Sequence, residues 1–282
     1  MLKIISDCYV QTDLERNFMT LQVLVVTMNQ PKGDYSLLDK MNIQTDAIVC
    51  NQCDYWDMEE FEYRGNHIKW MSFAERGVGL NRNNGLMRAT ADIVLFADDD
   101  VRYLDGYANI IEKYYQTNPL ADVVIFNLNK KYEDGHMKPV VVREGSASSR
   151  DITKYGTIFI SARRERLHFN NISFHLQFGG GTKYSCGEDT LFLQECYKKG
   201  LRIYTAVQTI GSFELGESTW FKGYTDKFFF DKGVVYYCIN RKLAIFLSFY
   251  HCFKHRKKYK EYDWKKGFLQ MRKGVLQCKR GE

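Results

Sequence analysis

Three consecutive carboxylates, Asp98-Asp99-Asp100, follow the apolar run of residues 92–97 (DIVLFA). Like charges placed after a buried strand are costly unless a cation or several hydrogen-bond donors offset them. Oxygen-only ligands suit Mg2+ or Mn2+, ions that commonly share a site with substrate phosphates. Alternation along an extended segment would aim Asp98 and Asp100, the two candidate metal ligands, the same way. The plainer reading is a solvated turn or a helix N-cap, and the apolar Leu95-Phe96-Ala97 weighs against it.

A second acidic cluster, Gly187-Glu188-Asp189, opens a helix after Gly179-Gly180-Gly181. An acidic pair at a helix start is often only a cap and a complement to the helix dipole. The glycine run shifts that balance, because glycine lets backbone approach a bulky ligand closely, Gly180 and Gly181 here. A carboxylate facing a cleft can then act as a general base. Arg76 and Arg82, the latter within Asn81-Arg82-Asn83-Asn84-Gly85, are candidates for phosphate or base-edge recognition. Asp54 is a candidate acceptor for a nucleobase or ribose hydrogen bond. Each has a plain alternative, as a surface arginine or a loop aspartate.

The elements that must position these groups alternate in type. Leu21–Met28 reads as a buried strand, residues 35–41 as a helix, and 47–50 and 68–71 as two further strands. Residues 83–91 have helical character before the strand that enters the aspartates, and 107–117 are helical before a strand at 121–128. Beyond a hairpin turn at 133–136 come a strand at 157–161 and a basic helix or loop at 163–170. A helix at 189–199 ends on Gly200, and a strand at 201–206 follows. Such alternation predicts an α/β domain with a mostly parallel sheet covered on both faces. Ligands in such sheets sit beyond the carboxyl ends of the strands, where every cluster in the first hundred residues lies.

Composition bounds the rest. With 45% hydrophobic and 15% aromatic residues among 282, the chain can build a real core and is not a disordered one. Residues 232–282 hold fourteen Lys/Arg against three Asp/Glu, a net of +11 that leaves about −5 on residues 1–231. An acidic body suits a cation-using site, and a basic tail rich in Phe, Tyr and Trp suits an anionic bilayer surface or helices packed on the body. No signal peptide or segment of bilayer-spanning length is read, so a cytoplasmic, peripherally membrane-bound protein is expected. The Cys50…Cys53 pair has no partner pair at zinc spacing and reads as buried thiols. No GxGxxG, Walker or GxSxG motif is present, and no nucleic-acid reader module accompanies the basic tail, so no nucleic-acid partner is expected.

Taken in order, the pieces resemble the inverting family 2 glycosyltransferases of bacterial polysaccharide biosynthesis, which have the GT-A fold. They are Val26-Thr27-Met28-Asn29 at the first strand's end, residues 79–86 (GLNRNNGL), residues 91–100 (ADIVLFADDD) and residues 187–192 (GEDTLF), within about residues 20–220. The family usually has Ala where Asn81 stands, and many members carry a His near a Ser-Thr pair that residues 211–220 lack. The resemblance implies a GT-A catalytic domain over 1–231, with a nucleotide-sugar half at about 20–128 and an acceptor half at 129–231. A basic helical extension over 232–282 follows. It further implies that Thr27, Asn29, Asp54, Arg76, Arg82, Asp98 and Asp99 hold a nucleotide-diphosphate sugar, a UDP-sugar first among candidates. Asp100 with Asp98 would bind Mn2+ or Mg2+, and Asp189 would be the base. Glu188, Gly180, Gly181 and Trp220 would meet a saccharide or lipid-linked saccharide acceptor, with Trp220 stacking on a sugar or lying in the core. Two other readings fit the same residues: a nucleotidyltransferase of related fold, and a non-catalytic membrane-docked binding protein.

Overall fold

The computed structural model describes residues 19–214, 223–259 and 262–281. Trp220 lies outside the described residues. The body is one sheet of eleven strands with flanking helices, in the order β3-β4-β2-β1-β5-β10-β7-β11-β6. The strands are β1 (Leu21–Met28), β2 (Asp46–Gln52), β3 (Asp57–Tyr63), β4 (Asn66–Phe73), β5 (Ile93–Asp98), β6 (Val101–Tyr103), β7 (Val123–Lys131), β8 (Met137–Pro139), β9 (Gly145–Ser146), β10 (Ile160–Arg163) and β11 (Ile203–Glu214). Strands β8 and β9 pair with β7 and β11 off that path. Between them run helices α1 (Ser36–Met41), α2 (Val78–Arg88), α3 (Tyr107–Thr117), α4 (Arg164–Phe169) and α5 (Glu188–Lys198).

The parallel set β4-β2-β1-β5 is as expected, and β7 with β11 forms a second parallel pair. Strand β10 lies antiparallel between β5 and β7, which joins the two halves into one sheet. The four parallel strands are near-continuous apolar runs because both faces are covered; β1 is buried from Leu21 to Thr27. The chain leaves β1 toward β2 on one side and returns to β5 on the other. The carboxyl ends of β1 and β5 therefore flank a topological switch point. Val26 pairs with Asp98 there, so Thr27 and the three aspartates emerge side by side.

The short strands β6, β8 and β9 were not expected, the helix expected over 83–91 runs Val78–Arg88, and two further departures have a clear cause. Strand β3 was not foreseen, since its sequence DMEEFEY is dominated by acids. Its residues alternate between exposed and half-buried as an edge strand antiparallel to β4, with Glu60 paired to Lys69 at 2.8 Å. Residues 157–161 were expected as a strand, but Thr157–Phe159 form a 3-10 turn and the strand begins at Ile160. The Cys50 and Cys53 side chains are buried, and burial pushes the Cys50 thiol up to about 12, as core thiols should behave.

After the sheet come α6 (Asp226–Ile239), α7 (Ala244–Lys254) and α8 (Trp264–Arg280). The boundary expected at 231/232 falls inside α6. Helices α6 and α8 cross at very close range: a Cβ on Gly233 would lie 2.0 Å from the Met271 carbonyl oxygen, and one on Gly274 2.3 Å from that of Phe230. Only glycine permits that approach. Phe229, Cys252, Tyr259 and Met271 form a small core inside the three helices, and Val234 with Val235 packs on Phe178 and Tyr184 of the body. Among the described residues no helix is long and apolar enough to cross a membrane.

Candidate active site

Helix α2 lies on β1 and β2 and carries Arg82 to the carboxyl end of the sheet. Asn81, where the family usually has Ala, is buried and donates from Nδ2 to the Cys50 carbonyl at 2.7 Å, fastening α2 to β2. Arg82 is only 5% exposed, and its guanidinium forks. One amino group meets Asp98 Oδ1 at 2.8 Å and the other meets Glu188 Oε1 at 3.0 Å. Its face lies 5.4 Å from the Phe174 ring, which stacks on Phe192 of α5. Burial opposes the guanidinium's charge, but Asp98 and Glu188 outweigh it and hold the group protonated. Arg82, expected at the nucleotide, is buried between these two carboxylates. It ties the end of β5 to the start of α5.

The three aspartates diverge in role. Asp98 is held by Arg82, and Asp99 accepts a 2.5 Å hydrogen bond from the Thr27 hydroxyl. Thr27 in turn accepts from Gln30 Nε2 at 2.8 Å. Asp100 has no ion pair among the described residues. Partial desolvation and the adjacent Asp98 and Asp99 raise its carboxyl to about 6, although the residue still meets solvent. A carboxylate crowded by like charge is where a divalent cation would be favoured, and Asp98 is close enough to act on it. Both carboxylates raise the buried Tyr103 hydroxyl beside them, after burial itself. That hydroxyl has no hydrogen-bond partner among the described residues. Among the described residues no three His, Cys, Asp or Glu side chains converge as a metal cage. The donor set fits an ion held by one or two carboxylates and completed by phosphate oxygens.

At the β2 edge, Asp54 and Arg76 engage each other at 2.6 Å, and Arg76 also donates to the Cys53 carbonyl at 2.5 Å. The Asp54 carboxylate is nevertheless almost wholly exposed and open to a ligand. Asn29 turns the chain out of β1 in the left-handed region, φ 57°, and its N–H donates to the Gln52 carbonyl at 2.8 Å. Thr27, Asn29, Asp54 and Arg76 thus line the ends of β1 and β2.

Asp189 stands in the first turn of α5. Its Oδ1 accepts from the Thr190 N–H at 2.6 Å, while Oδ2 has no hydrogen-bond donor among the described residues and faces Gly156. Glu188, expected at the acceptor, points to Arg82; burial and then Asp189 raise its carboxyl, against the pull of Arg82. The glycine run serves this corner rather than an open surface. A Cβ on Gly179 would lie 2.8 Å from the Glu188 carboxyl and 2.5 Å from Val78, and the Gly180 carbonyl accepts from the Val78 N–H at 3.0 Å. Gly181 alone of the three is exposed.

Helix α6 supports the corner from behind. Gly187, at φ 104°, abuts Val235, where a Cβ would approach to 2.4 Å. Asp231, 1% exposed, accepts from the Ser185 N–H at 2.9 Å, the Ser185 hydroxyl at 2.7 Å and the Lys227 ammonium at 2.7 Å. Lys227 is one helical turn from Asp231, but Ser185 stands 46 residues from it and the arms of the Arg82 fork span 16 and 106 residues, separations with no local signal. Asp231→Ala is expected to leave Ser185 and Lys227 without their acceptor and to cost about 2 kcal/mol. Thermal denaturation checks the stability loss. A several-fold rise in acceptor KM with an unchanged nucleotide Kd checks that the loop, not the nucleotide side, has loosened.

Residues 57–181 match the family profile described as Glycosyl transferase family 2. The match takes in Arg82 and the three aspartates and stops before Glu188-Asp189. No curated protein sequence matches the chain. Among solved structures, S. aureus TarS 1-349 in complex with UDP-GlcNAc superposes with a TM-score of 0.60 at 14% identity, over 94% of this chain and 93% of that one. The same TarS fragment in complex with UDP gives a TM-score of 0.58 at 14% identity, over 94% and 92%. Against the S. aureus TarS structure with the longer chain, the TM-score is 0.53 at 16% identity, covering 77% of this chain but only 39% of that one. Residues 57–181 thus match a family 2 glycosyl transferase domain, and the chain has the fold of the TarS structures, spanning 39% of the longer TarS chain.

Proposed function

We propose that the protein is an inverting, metal-dependent glycosyltransferase that moves a sugar from a UDP-sugar to a hydroxyl of a saccharide or lipid-linked saccharide, in surface polysaccharide biosynthesis. The observation that carries this reading is the Asp98–Arg82–Glu188 link. It joins the acidic cluster at the switch point to a second carboxylate, Asp189, whose Oδ2 is uncommitted among the described residues. The superposition on TarS bound to UDP-GlcNAc supports a UDP-sugar donor.

In this mechanism Thr27, Asn29, Asp54 and Arg76 bind the nucleotide at the ends of β1 and β2. Asp189 Oδ2 takes the proton of the acceptor hydroxyl. The acceptor oxygen bonds to the anomeric carbon as the bond from that carbon to the diphosphate oxygen breaks. The nucleoside diphosphate leaves with the electron pair, and attack from the opposite face inverts the centre. A divalent cation held by Asp100 and Asp98 would neutralise charge on the departing diphosphate. Arg82 keeps Asp98 and Glu188 at fixed separation while this happens.

Thermal-shift screening of UDP-, GDP- and dTDP-sugars with Mn2+, followed by NMR of the product, tests the reading. A UDP-sugar is expected to give the largest shift, and the product linkage to have the anomeric configuration opposite to the donor's. Release of pyrophosphate would make the protein a nucleotidyltransferase, and retention of configuration would remove Asp189 from the mechanism.

A further inference from the structure

Helix α7 presents two unlike faces. Ala244, Ser248 and Cys252, spaced four apart, are buried toward α6 and α8. The other side carries Leu243, Phe246, Phe249, Tyr250 and Phe253, from 42% to 65% exposed. Phe249 and Phe253 continue onto α8 through Trp264, with ring centroids 6.2 and 5.8 Å away. Large aromatic side chains left in water over a helix face this long mark a contact surface.

Cations frame the stripe. Arg241 and Lys242 precede α7, and Lys254, Arg256, Lys257 and Lys258 close it; all six are exposed, and none has an ion pair among the described residues. Lys254 and Arg256 lie over the rings of Tyr250 and Phe253, at 5.6 and 4.3 Å, so their charges sit at the rim of the apolar stripe. From residue 232 to residue 260 the sequence contains no Asp or Glu.

We infer that this face of α7, with Trp264 of α8, docks the protein on an anionic lipid bilayer. An 11-residue helix is about 16 Å long, too short to span and of a length to lie in the interface plane. Aromatic rings enter the headgroup boundary while Lys and Arg stems snorkel to the phosphates. A second copy of the chain is a poor occupant, because apposing two such faces brings the six cations of each against the other's. The surface is mechanically joined to the active site. Helix α6 packs on α7 and α8 on one side and on Gly187 on the other, so a docked molecule holds its Asp189 corner at a fixed distance from the lipid.

Co-flotation of the full chain with vesicles tests this without reference to sugar chemistry. One set is phosphatidylcholine alone and the other contains about a third phosphatidylglycerol. The protein is expected to float with the anionic set only, and less so as salt rises. Lys254→Gln/Lys257→Gln/Lys258→Gln is expected to weaken flotation on the order of 100-fold, since each basic charge near the surface contributes about 1 kcal/mol. Phe246→Ser/Tyr250→Ser, at the two most exposed rings, is expected to abolish it at low protein concentration. Unchanged circular dichroism and melting temperature show that both variants are folded. Equal binding to neutral vesicles, no binding to either set, or self-association that Phe246→Ser/Tyr250→Ser removes would each overturn the inference.

Discussion

Asp189→Asn is expected to lower transfer by about 10³-fold while the UDP dissociation constant stays within about twofold. The substitution keeps shape, and its amide oxygen can still accept the Thr190 N–H that Oδ1 now holds at 2.6 Å. What it removes is basicity at Oδ2, the oxygen without a donor among the described residues. The proposed nucleotide side has no contact to lose, since among the described residues Thr27 bonds to Asp99, and Arg76 to Asp54 and the Cys53 carbonyl, with none of the three bonded to Asp189. Isothermal calorimetry with UDP and steady-state transfer rates separate the two effects. Loss of both binding and transfer would mean that Asp189 shapes the whole site. Loss of neither would move the base elsewhere. Glu188→Gln is the informative neighbour. It breaks one arm of the Arg82 fork, so it is expected to lower stability as well as rate, a signature that Asp189→Asn lacks.

The contrast between these two adjacent acids shows where sequence reasoning reached and where it stopped. Residue type and position found both clusters, because a triple aspartate after a buried β-branched run has few other uses. The parallel strands β1, β2, β4 and β5 were legible for the same reason: a strand buried on both faces is a run of Val, Ile and Leu. Strand β3 was not, since an edge strand needs only half its residues to be apolar. Glu188 and Asp189 look alike in sequence, and only packing shows that one faces Arg82 and the other Gly156. The fork itself joins residues 16 and 106 positions apart, a separation with no local pattern to read. Gly179 shows what else the lack of a side chain allows: Val78 and Glu188 approach it closely, a contact between residues far apart in the sequence.

Arg82→Met should be the most damaging single change outside the reacting groups. It removes a buried guanidinium that two carboxylates face, and breaking such a pair typically costs about 3–5 kcal/mol. Asp98 keeps solvent access and can rehydrate, whereas Glu188 is mostly buried, so the lower end, about 3 kcal/mol, is expected. For a chain of this size that corresponds to a fall in Tm of roughly 6–12 °C. The deficit should depend on pH in a defined direction. Glu188 already has its carboxyl raised by burial and by Asp189, and losing Arg82 raises it further. A folded-state acid with a raised pKa binds more protons than the unfolded chain, so stability falls as pH rises from the ordinary glutamate value through the folded one. The Tm gap between wild type and Arg82→Met should therefore be smallest near pH 4.5 and widen toward neutrality. Arg82→Lys, a point charge in place of a fork, can reach only one carboxylate and should recover less than half of the loss. Arg82→Met/Glu188→Gln removes the orphaned charge together with its partner and should recover more of the Tm than Arg82→Lys does. If the double variant were instead additive with its parents, the two residues would not be coupled, and the link between the acidic cluster and the base would have no energetic content.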